Sequence, residues 1–151
     1  MDIRELYMNE EAPLDLLLLA DPSRKLIDEY LNRGKCFVAE NNHKLIGVYV
    51  LLPTRPATVE LVNIAVAESE QGKGIGKQLL LDAIQRSKTK GYQTIEVGTG
   101  NSSIGQLALY QKYGFRITGI DPDFFTRHYD GKIFENGIWC RDMIRLSRDH
   151  F

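Results

Sequence analysis

The residues best suited to chemistry lie in the glycine segment Gln71–Gly76, with the sequence Gln-Gly-Lys-Gly-Ile-Gly. Its three glycines allow the backbone to turn sharply and to approach a ligand closely, because no Cβ atom intervenes. A helix is predicted to follow, and the first N–H groups of a helix carry a partial positive charge. Lys73 and Lys77 could add charge at the rim. The segment therefore predicts an anion site, best suited to phosphate.

Three phosphate-binding patterns can be compared with this segment. The P-loop pattern G-x-x-x-x-G-K-[ST] fails, because Gln71 replaces its first glycine and Gln78 replaces its final serine or threonine. The dinucleotide pattern G-x-G-x-x-G fails because Lys77 replaces its third glycine. Gln71, Gly74 and Gly76 satisfy a third pattern, Q/R-x-x-G-x-G/A, in full. The alternative is a glycine-rich turn that binds no ligand.

The elements that must position this segment predict one mixed α+β domain spanning residues 1–151. Alternating or β-branched runs predict strands, and apolar residues at helical spacing predict helices. The predicted strands are Met1–Met8, Cys36–Glu40, Leu45–Leu52, Thr58–Val66, Gln93–Val97, Phe115–Ile120 and Gly137–Leu146. The predicted helices are Asn9–Leu19, one capped by Ser23 and ended by Gly34, one between Gly76 and Gly91, and Ser103–Tyr113. This order predicts a central, mostly antiparallel sheet flanked by helices, with Asp121–Asn136 irregular.

Composition narrows the class of function. The chain has 19 basic and 20 acidic residues, which argues against binding nucleic acid through bulk charge. Cys36 and Cys140 show neither metal-ligand spacing nor a disulfide framework, so we expect no metal. The N-terminal residues lack the apolar stretch of a secretion signal, and the apolar run Leu14–Ala20 is too short to cross a bilayer. We expect a cytoplasmic protein with no nucleic-acid or membrane partner.

Two linked motifs resemble those of the GNAT superfamily of N-acetyltransferases. Val59–Val66, which leads into the glycine segment, is similar to the family's fourth strand. Ala108–Phe115, with the sequence Ala-Leu-Tyr-Gln-Lys-Tyr-Gly-Phe, is similar to its closing helix motif A-x-x-x-Y-x-K-x-G-F. The alanine lies closer to Tyr110 than in that form, and the distance from Asn101 to Tyr110 is longer than usual. The resemblance covers about the middle half of the chain.

The resemblance implies an acyl-CoA N-acyltransferase fold with acetyl-CoA as co-substrate. The acetyl and pantetheine groups would enter where the family's fourth and fifth strands separate, here Thr58–Val66 and Gln93–Val97. The glycine segment would wrap the pyrophosphate. The cofactor-binding residues implied in this way are Ile64, Ala65, Val66, Gln71, Gly72, Lys73, Gly74, Ile75, Gly76, Lys77, Asn101, Ser103, Tyr110 and Lys112.

Acetyl transfer to an amine requires a neutral amine, a polarised carbonyl and a sulfur that leaves easily. Glu60 is the first candidate for the base that takes a proton from the amine, often through water, although it also fits an ordinary surface carboxylate. Tyr110, a phenol with a pKa of about 10, can protonate the leaving thiolate, although it also fits a core tyrosine. The N–H group of Ile64 would stabilise the developing oxyanion.

Several other roles stay open at this stage. His128 and Tyr129 would line the acceptor pocket, and His128 or a water chain could be the base instead of Glu60. Asn101 would either bind the pantetheine or fix its own loop. An acidic group in the same region would attract a cationic acceptor or simply be solvated; it comprises Asp121, Asp123, Asp130 and Glu135.

The sequence thus predicts an N-acetyltransferase that moves acetyl from acetyl-CoA to a primary amine of a small molecule or peptide. Direct attack is expected, because no nucleophile–base pair for an acyl-enzyme stands out. The alternatives are a non-catalytic acetyl-CoA-binding regulatory module and a transferase for longer acyl groups. Strand edges in this family often pair, so a homodimer is also expected.

Overall fold

A seven-stranded sheet runs through the computed structural model, which describes residues 1–151. The strands of the protein are β1 (Asp2–Glu5), β2 (Lys35–Asn41), β3 (Lys44–Arg55), β4 (Thr58–Val66), β5 (Thr94–Gly100), β6 (Arg116–Asp121), β7 (Ile133–Glu135), β8 (Ile138–Cys140) and β9 (Met143–Asp149). The large sheet has the order β1-β2-β3-β4-β5-β9-β6, and β7 and β8 form a separate hairpin. Only β4 and β5 are parallel neighbours. The mixed, mostly antiparallel architecture is confirmed.

Helices pack on both faces of this sheet. They are α1 (Leu14–Ala20), α2 (Arg24–Arg33), α3 (Ile75–Thr89), α4 (Ile104–Lys112) and α5 (Phe124–His128). Successive side chains of a strand point to opposite faces, and in β2 Phe37 belongs to a core cluster with α3 while Val38 belongs to one with α1 and α2. The sheet is therefore covered by α3 on one face and by α1 and α2 on the other. No helix has the length and apolar character needed to span a membrane.

The first predicted helix is too long at its N-terminus. Helix α1 begins at Leu14, and Pro13 occupies the position before it, where a missing N–H costs nothing. Upstream, Glu10 is held by β1 instead, because its carboxylate accepts hydrogen bonds from Arg4 at 2.8 and 3.0 Å. Strand β1 is correspondingly shorter than the predicted Met1–Met8.

The C-terminal third is more ordered than predicted. The stretch Asp121–Asn136 contains α5 and β7, and the predicted strand Gly137–Leu146 is divided between β8 and β9, which belong to different sheets. The division has a physical cause: the backbone N–H groups of Arg141 and Asp142 donate to the Asn101 side chain at 2.9 and 3.0 Å, which leaves a break in the strand.

Strand β3 also runs past its predicted end at Pro53. It reaches Arg55, and Pro53 lies opposite Val59 beside a shift in register. Proline is tolerated at such an irregularity because a ladder hydrogen bond is already missing there.

The parallel pairing of β4 and β5 is short. Thr58–Leu61 pairs with Thr94–Val97, but both strands then continue without pairing to each other. Val62 is the extra residue of a β-bulge against β3, because the register there passes directly from Leu61 to Asn63. A bulge bends its strand and increases the local twist. The separation of fourth and fifth strands implied by the resemblance is therefore present.

Replacing Leu79 by alanine tests the packing of α3 on the sheet. Leu79 is fully buried, and a Cβ atom at Gly47 would lie 2.9 Å from its Cδ1 atom, so the contact is close. We expect Leu79→Ala to lower the free energy of unfolding by about 2–5 kcal/mol in urea titrations. Leu81→Ala, at a position 41% exposed, is the control and should change it by less than about 0.5 kcal/mol. Equal effects would contradict the packing described.

Candidate functional site

A cavity of about 570 Å³ lies where β4 and β5 separate. Its walls come from residues 61–64 of β4, residues 97–100 of β5, residues 18–22 at the end of α1, and parts of α4, α5 and β7. This volume falls within the range of small-molecule sites, and most of the lining residues are apolar, as is usual for such sites. The cavity is therefore a candidate site for an acyl donor and a small acceptor.

Strand β4 turns some of its backbone groups toward this gap. In an antiparallel ladder, alternate residues exchange both backbone hydrogen bonds with the neighbouring strand. The Ala67 N–H donates to the Ile46 carbonyl at 2.8 Å. By this alternation, Ala65 is also one of the residues whose backbone groups hydrogen-bond to β3. The backbone groups of Ile64 and Val66 therefore face away from β3, toward the gap. Ala65, one of the predicted binding residues, has its side chain in the core with α1 and α2.

The glycine segment follows directly and leaves a row of amides unpaired. Gly72 and Gly74 have φ angles of 81° and 82°, in the left-handed region that favours glycine. The N–H groups of Gly72–Lys77 donate to no acceptor in the chain, and the first that does is that of Gln78, to the Gly74 carbonyl at 3.1 Å. These amides lie at the N-terminus of the 15-residue helix α3. Open donors therefore line the segment that the sequence predicts to bind an anion.

Side chains at the edge of the glycine segment fix its position. The Gln71 side chain donates to the Val66 carbonyl at 3.1 Å, which ties the segment to the end of β4. Lys73 is mostly exposed, and its Nζ atom lies 2.7 Å from a Glu70 carboxylate oxygen. The Nζ atom of Lys77 lies 5.9 Å from the centroid of the Tyr113 ring. Both lysines flank the glycine segment, and their contact with a bound anion stays a prediction.

Tyr110 reaches the cavity from the α4 side. It is 3% exposed, and its ring packs against Phe115 with 5.7 Å between centroids. The residue lines the cavity, and its hydroxyl makes no hydrogen bond within the chain. Burial raises the pKa of Tyr110 to about 12. At neutral pH the phenol is therefore protonated and free to donate to a ligand.

Glu60 lies outside the cavity that Tyr110 lines. It is on β4, four residues before Ile64, which is about 13 Å along an extended strand. Its carboxylate is 4.0 Å from the Arg145 guanidinium. Burial raises the pKa of Glu60, the Arg145 charge opposes that rise, and the Glu96 carboxylate adds to it. The structure does not bring the two predicted catalytic residues together in one cavity.

Asn101, Ser103 and Lys112 are predicted to bind the cofactor, but only Ser103 lines the cavity. The Asn101 amide donates to the Trp139 carbonyl at 3.1 Å, and its oxygen accepts the two backbone bonds already described. Its side chain therefore fixes the loop, one of the two roles left open. Ser103 lines the cavity and donates to Glu135 at 2.7 Å. Lys112 is exposed, with its Nζ atom 5.9 Å from the Tyr113 ring centroid.

The two predicted acceptor residues differ in position. His128 is exposed at the end of α5, its ring centroid is 4.6 Å from that of Phe124, and it does not line the cavity. Tyr129 does line the cavity, and its hydroxyl donates to the Asp21 carboxylate at 2.8 Å. Burial raises the pKa of Tyr129, and the hydrogen bond to Asp21 adds to the rise.

Two buried polar residues of the cavity wall were missed. Asp21 lines the cavity and accepts a hydrogen bond from the Tyr30 hydroxyl at 3.1 Å. Asn63 donates to the Leu17 carbonyl at 3.0 Å and to the Tyr30 oxygen at 2.9 Å. An asparagine inside the otherwise apolar run Leu61–Val66 is the available signal. No group of three or more His, Cys, Asp or Glu side chains is arranged to hold a metal.

Comparison with known proteins connects this geometry to a family. The model of the acetyltransferase (GNAT) family matches residues 2–115. The chain is 68% identical to the uncharacterized N-acetyltransferase YvbK of Bacillus subtilis (strain 168) over 135 residues, which is 89% of this chain and 87% of that protein.

Two solved structures share the fold over nearly the whole chain. A GNAT family acetyltransferase from Elizabethkingia anophelis, solved with acetyl-CoA bound, superposes with a TM-score of 0.95 at 53% identity and covers 98% of this chain and 97% of its own. A Bacillus subtilis acetyltransferase in complex with CoA superposes with a TM-score of 0.91 at 62% identity and covers 99% and 100%. The cavity and cradle therefore lie in a fold on which relatives bind these two molecules.

A titration with inorganic pyrophosphate tests the anion cradle. Because the amides of the glycine segment are free and lie at the positive end of α3, we expect their ¹⁵N–¹H resonances to shift saturably. The amides of Gly131 and Gly137, which also have positive φ angles but begin no helix, are the internal control. Sodium chloride of equal ionic strength should leave the amide resonances of the glycine segment and of the control glycines unshifted. Shifts at the control glycines alone would contradict the cradle.

Proposed function

The chain belongs to the acetyltransferase (GNAT) family, and on that premise we propose that it transfers acetyl from acetyl-CoA directly to a primary amine in the cavity between β4 and β5. The observation that carries the proposal is the set of free donors along one path. This path runs from the amides of the glycine segment, past the backbone of Ile64 and Val66, to the Tyr110 hydroxyl. The N–H groups of Gly72–Lys77 and the Tyr110 hydroxyl lack a partner inside the chain, as expected of groups reserved for a ligand.

The residues present fit acetyl-CoA part by part. A diphosphate suits the amides of Gly72–Lys77, since it is an anion at a helix N-terminus. An extended amide-containing arm suits the unpaired edge of β4, which offers strand-type hydrogen bonds. Acetyl-CoA supplies a thioester, whose acetyl group an amine can take while the thiolate leaves.

The chain's own groups then act on that exchange. The Ile64 N–H is proposed to donate to the carbonyl oxygen as negative charge develops there; loss of such donors in other enzymes costs about 2.7–4 kcal/mol. Tyr110, which is protonated at neutral pH, is proposed to give its proton to the departing sulfur. Both groups are fixed by the fold before a ligand arrives, and this preorganisation is what makes such donors effective.

The base is proposed to be Glu60 acting through ordered water. Its carboxylate lies beyond the cavity wall, so direct contact with the amine is not expected, and its raised pKa suits proton uptake better than that of an ordinary glutamate. His128 is less well placed, because it is exposed and its ring packs on Phe124.

Two further proposals concern the cellular compartment and the oligomeric state of the protein. Cys36 and Cys140 are free and buried, which suits the reducing cytoplasm. Strand β6 is an edge of the large sheet and exposes Ile117 and Ile120, both more than half exposed, so it is the proposed surface of a homodimer.

A panel of amines assayed with acetyl-CoA, with the release of free thiol as the readout, tests the activity itself. Propionyl- and succinyl-CoA in the same assay test for the transfer of longer acyl groups.

Tyr110→Phe separates an enzyme from a binding module. We expect kcat to fall by about 100-fold or more, with the KM for acetyl-CoA within about twofold, because only the proton donor is removed. The fold should be retained, since the hydroxyl has no partner in the chain. Tyr92→Phe, at a partly buried tyrosine away from the cavity, is the matched control. Unchanged kcat in Tyr110→Phe would contradict the assigned role.

Glu60→Gln tests the proposed base through the pH profile of kcat/KM. A base works only when ionised, so the wild-type rate should rise as the pH passes the Glu60 pKa, which lies above its ordinary value. Glutamine cannot titrate, so the variant should lose that limb and about 100-fold in rate. Glu29→Gln, on the exposed face of α2, should keep both. An intact acidic limb in Glu60→Gln would assign the proton to another group.

A further inference from the structure

We infer, on the premise of the acetyltransferase function above, that the acceptor is an apolar amine without a neighbouring carboxylate, whose ammonium group binds at Asp21 and Asn63. The cavity residues that carry full charges are Asp21 and Glu135, and both are acidic. No lysine, arginine or histidine lines the cavity. An arriving ammonium is therefore attracted and a carboxylate is repelled.

Asp21 is a buried carboxylate without a cationic partner. It is 8% exposed, and it forms no ion pair with any basic side chain of the protein. Its hydrogen-bond donors are all neutral: the hydroxyls of Tyr30 and Tyr129 and the backbone N–H of Ser23. A carboxylate accepts about four hydrogen bonds, so one position remains. A buried charge of this kind is costly unless a partner of opposite charge binds to it.

Asn63 supplies the second, independent observation. It is 4% exposed in the wall of the same cavity, and its side-chain oxygen has no hydrogen-bond donor. The orientation of its amide is fixed, because its nitrogen donates to the Leu17 carbonyl, which can only accept, and to the Tyr30 oxygen, whose own proton goes to Asp21. A donor supplied by a ligand would satisfy the Asn63 oxygen.

The apolar part of the acceptor is indicated by the mouth of the cavity. Leu18, Leu19 and Phe134 line it and are 37%, 46% and 63% exposed, although side chains of this kind are normally buried. Phe125 and Ile133 extend the same wall. An aromatic or alkyl skeleton attached to the ammonium would cover these side chains, and hydrophobic burial would favour its binding.

Phenethylamine and phenylalanine form a matched pair for the test, because they share a skeleton and differ by one carboxylate. We expect kcat/KM in the thiol-release assay to be at least about tenfold higher for phenethylamine. Phenylalaninamide, which replaces the carboxylate with a neutral amide, should fall between them. Equal or better use of phenylalanine would overturn the inference.

Asp21→Asn tests the residue itself. Asparagine is nearly isosteric, and its oxygen can still accept from Tyr129, so the fold should persist. We expect the KM for phenethylamine to rise by about tenfold or more while the KM for acetyl-CoA stays within about twofold and the acidic limb of the pH profile remains. Asp28→Asn, whose exposed carboxylate pairs only with Arg24, is the control. Identical kinetics in the two variants would overturn the inference.

A binding measurement separates this inference from the proposed function. With CoA present, phenethylamine should shift the side-chain NH₂ resonances of Asn63 saturably in the wild type and in Asp28→Asn, but not in Asp21→Asn. If the shift occurs and no thiol is released from acetyl-CoA, the proposed function fails and the ammonium site stands. If thiol is released without any shift at Asn63, the site fails and the function stands. If neither the shift at Asn63 nor the release of thiol is observed, both the ammonium site and the proposed function are rejected.

Discussion

The short parallel pairing of β4 and β5 is the constraint on which the rest of the site depends. Four residues of each strand pair, and the bulge at Val62 then bends β4 at the place where the two strands separate. Strands that stayed paired would use the backbone groups of Ile64 and Val66 for each other and would close the cavity. The gap instead lets Tyr110 approach from the α4 side and Asp21 from the α1 side, so a single opening receives groups from both faces of the sheet.

The two ends of this opening favour ligands of opposite charge, so a donor and an acceptor have one favoured arrangement. Beyond the end of β4, the amides of Gly72–Lys77 and the dipole of α3 attract an anion. Within the cavity, Asp21 and Glu135 attract a cation. A phosphate-bearing donor and the ammonium-bearing acceptor proposed above would thereby be drawn to different places. In the proposed reaction they would meet where the uncharged donors, the Ile64 amide and the Tyr110 hydroxyl, lie.

Features encoded within short stretches of the chain were predictable from the sequence. The glycine segment needs only its own residues and the following helix, and both Tyr110 and the β4 strand lie in motifs of eight residues or so. Features that need distant residues were not predictable. Asp21 meets Tyr129 across 108 positions of sequence, and no periodicity reports such a contact. The break between β8 and β9 likewise depends on Asn101, about 40 positions upstream.

Amide hydrogen exchange at Ile64, measured with single-residue resolution with and without acetyl-CoA, is the most direct test of the gap as the place where the acyl donor binds. We predict that acetyl-CoA slows exchange at Ile64 and Val66, whose backbone faces the gap, and leaves Ala65, already bonded to β3, unchanged. Unaltered exchange at Ile64 and Val66 under saturating acetyl-CoA would show that the separated strands do not hold it.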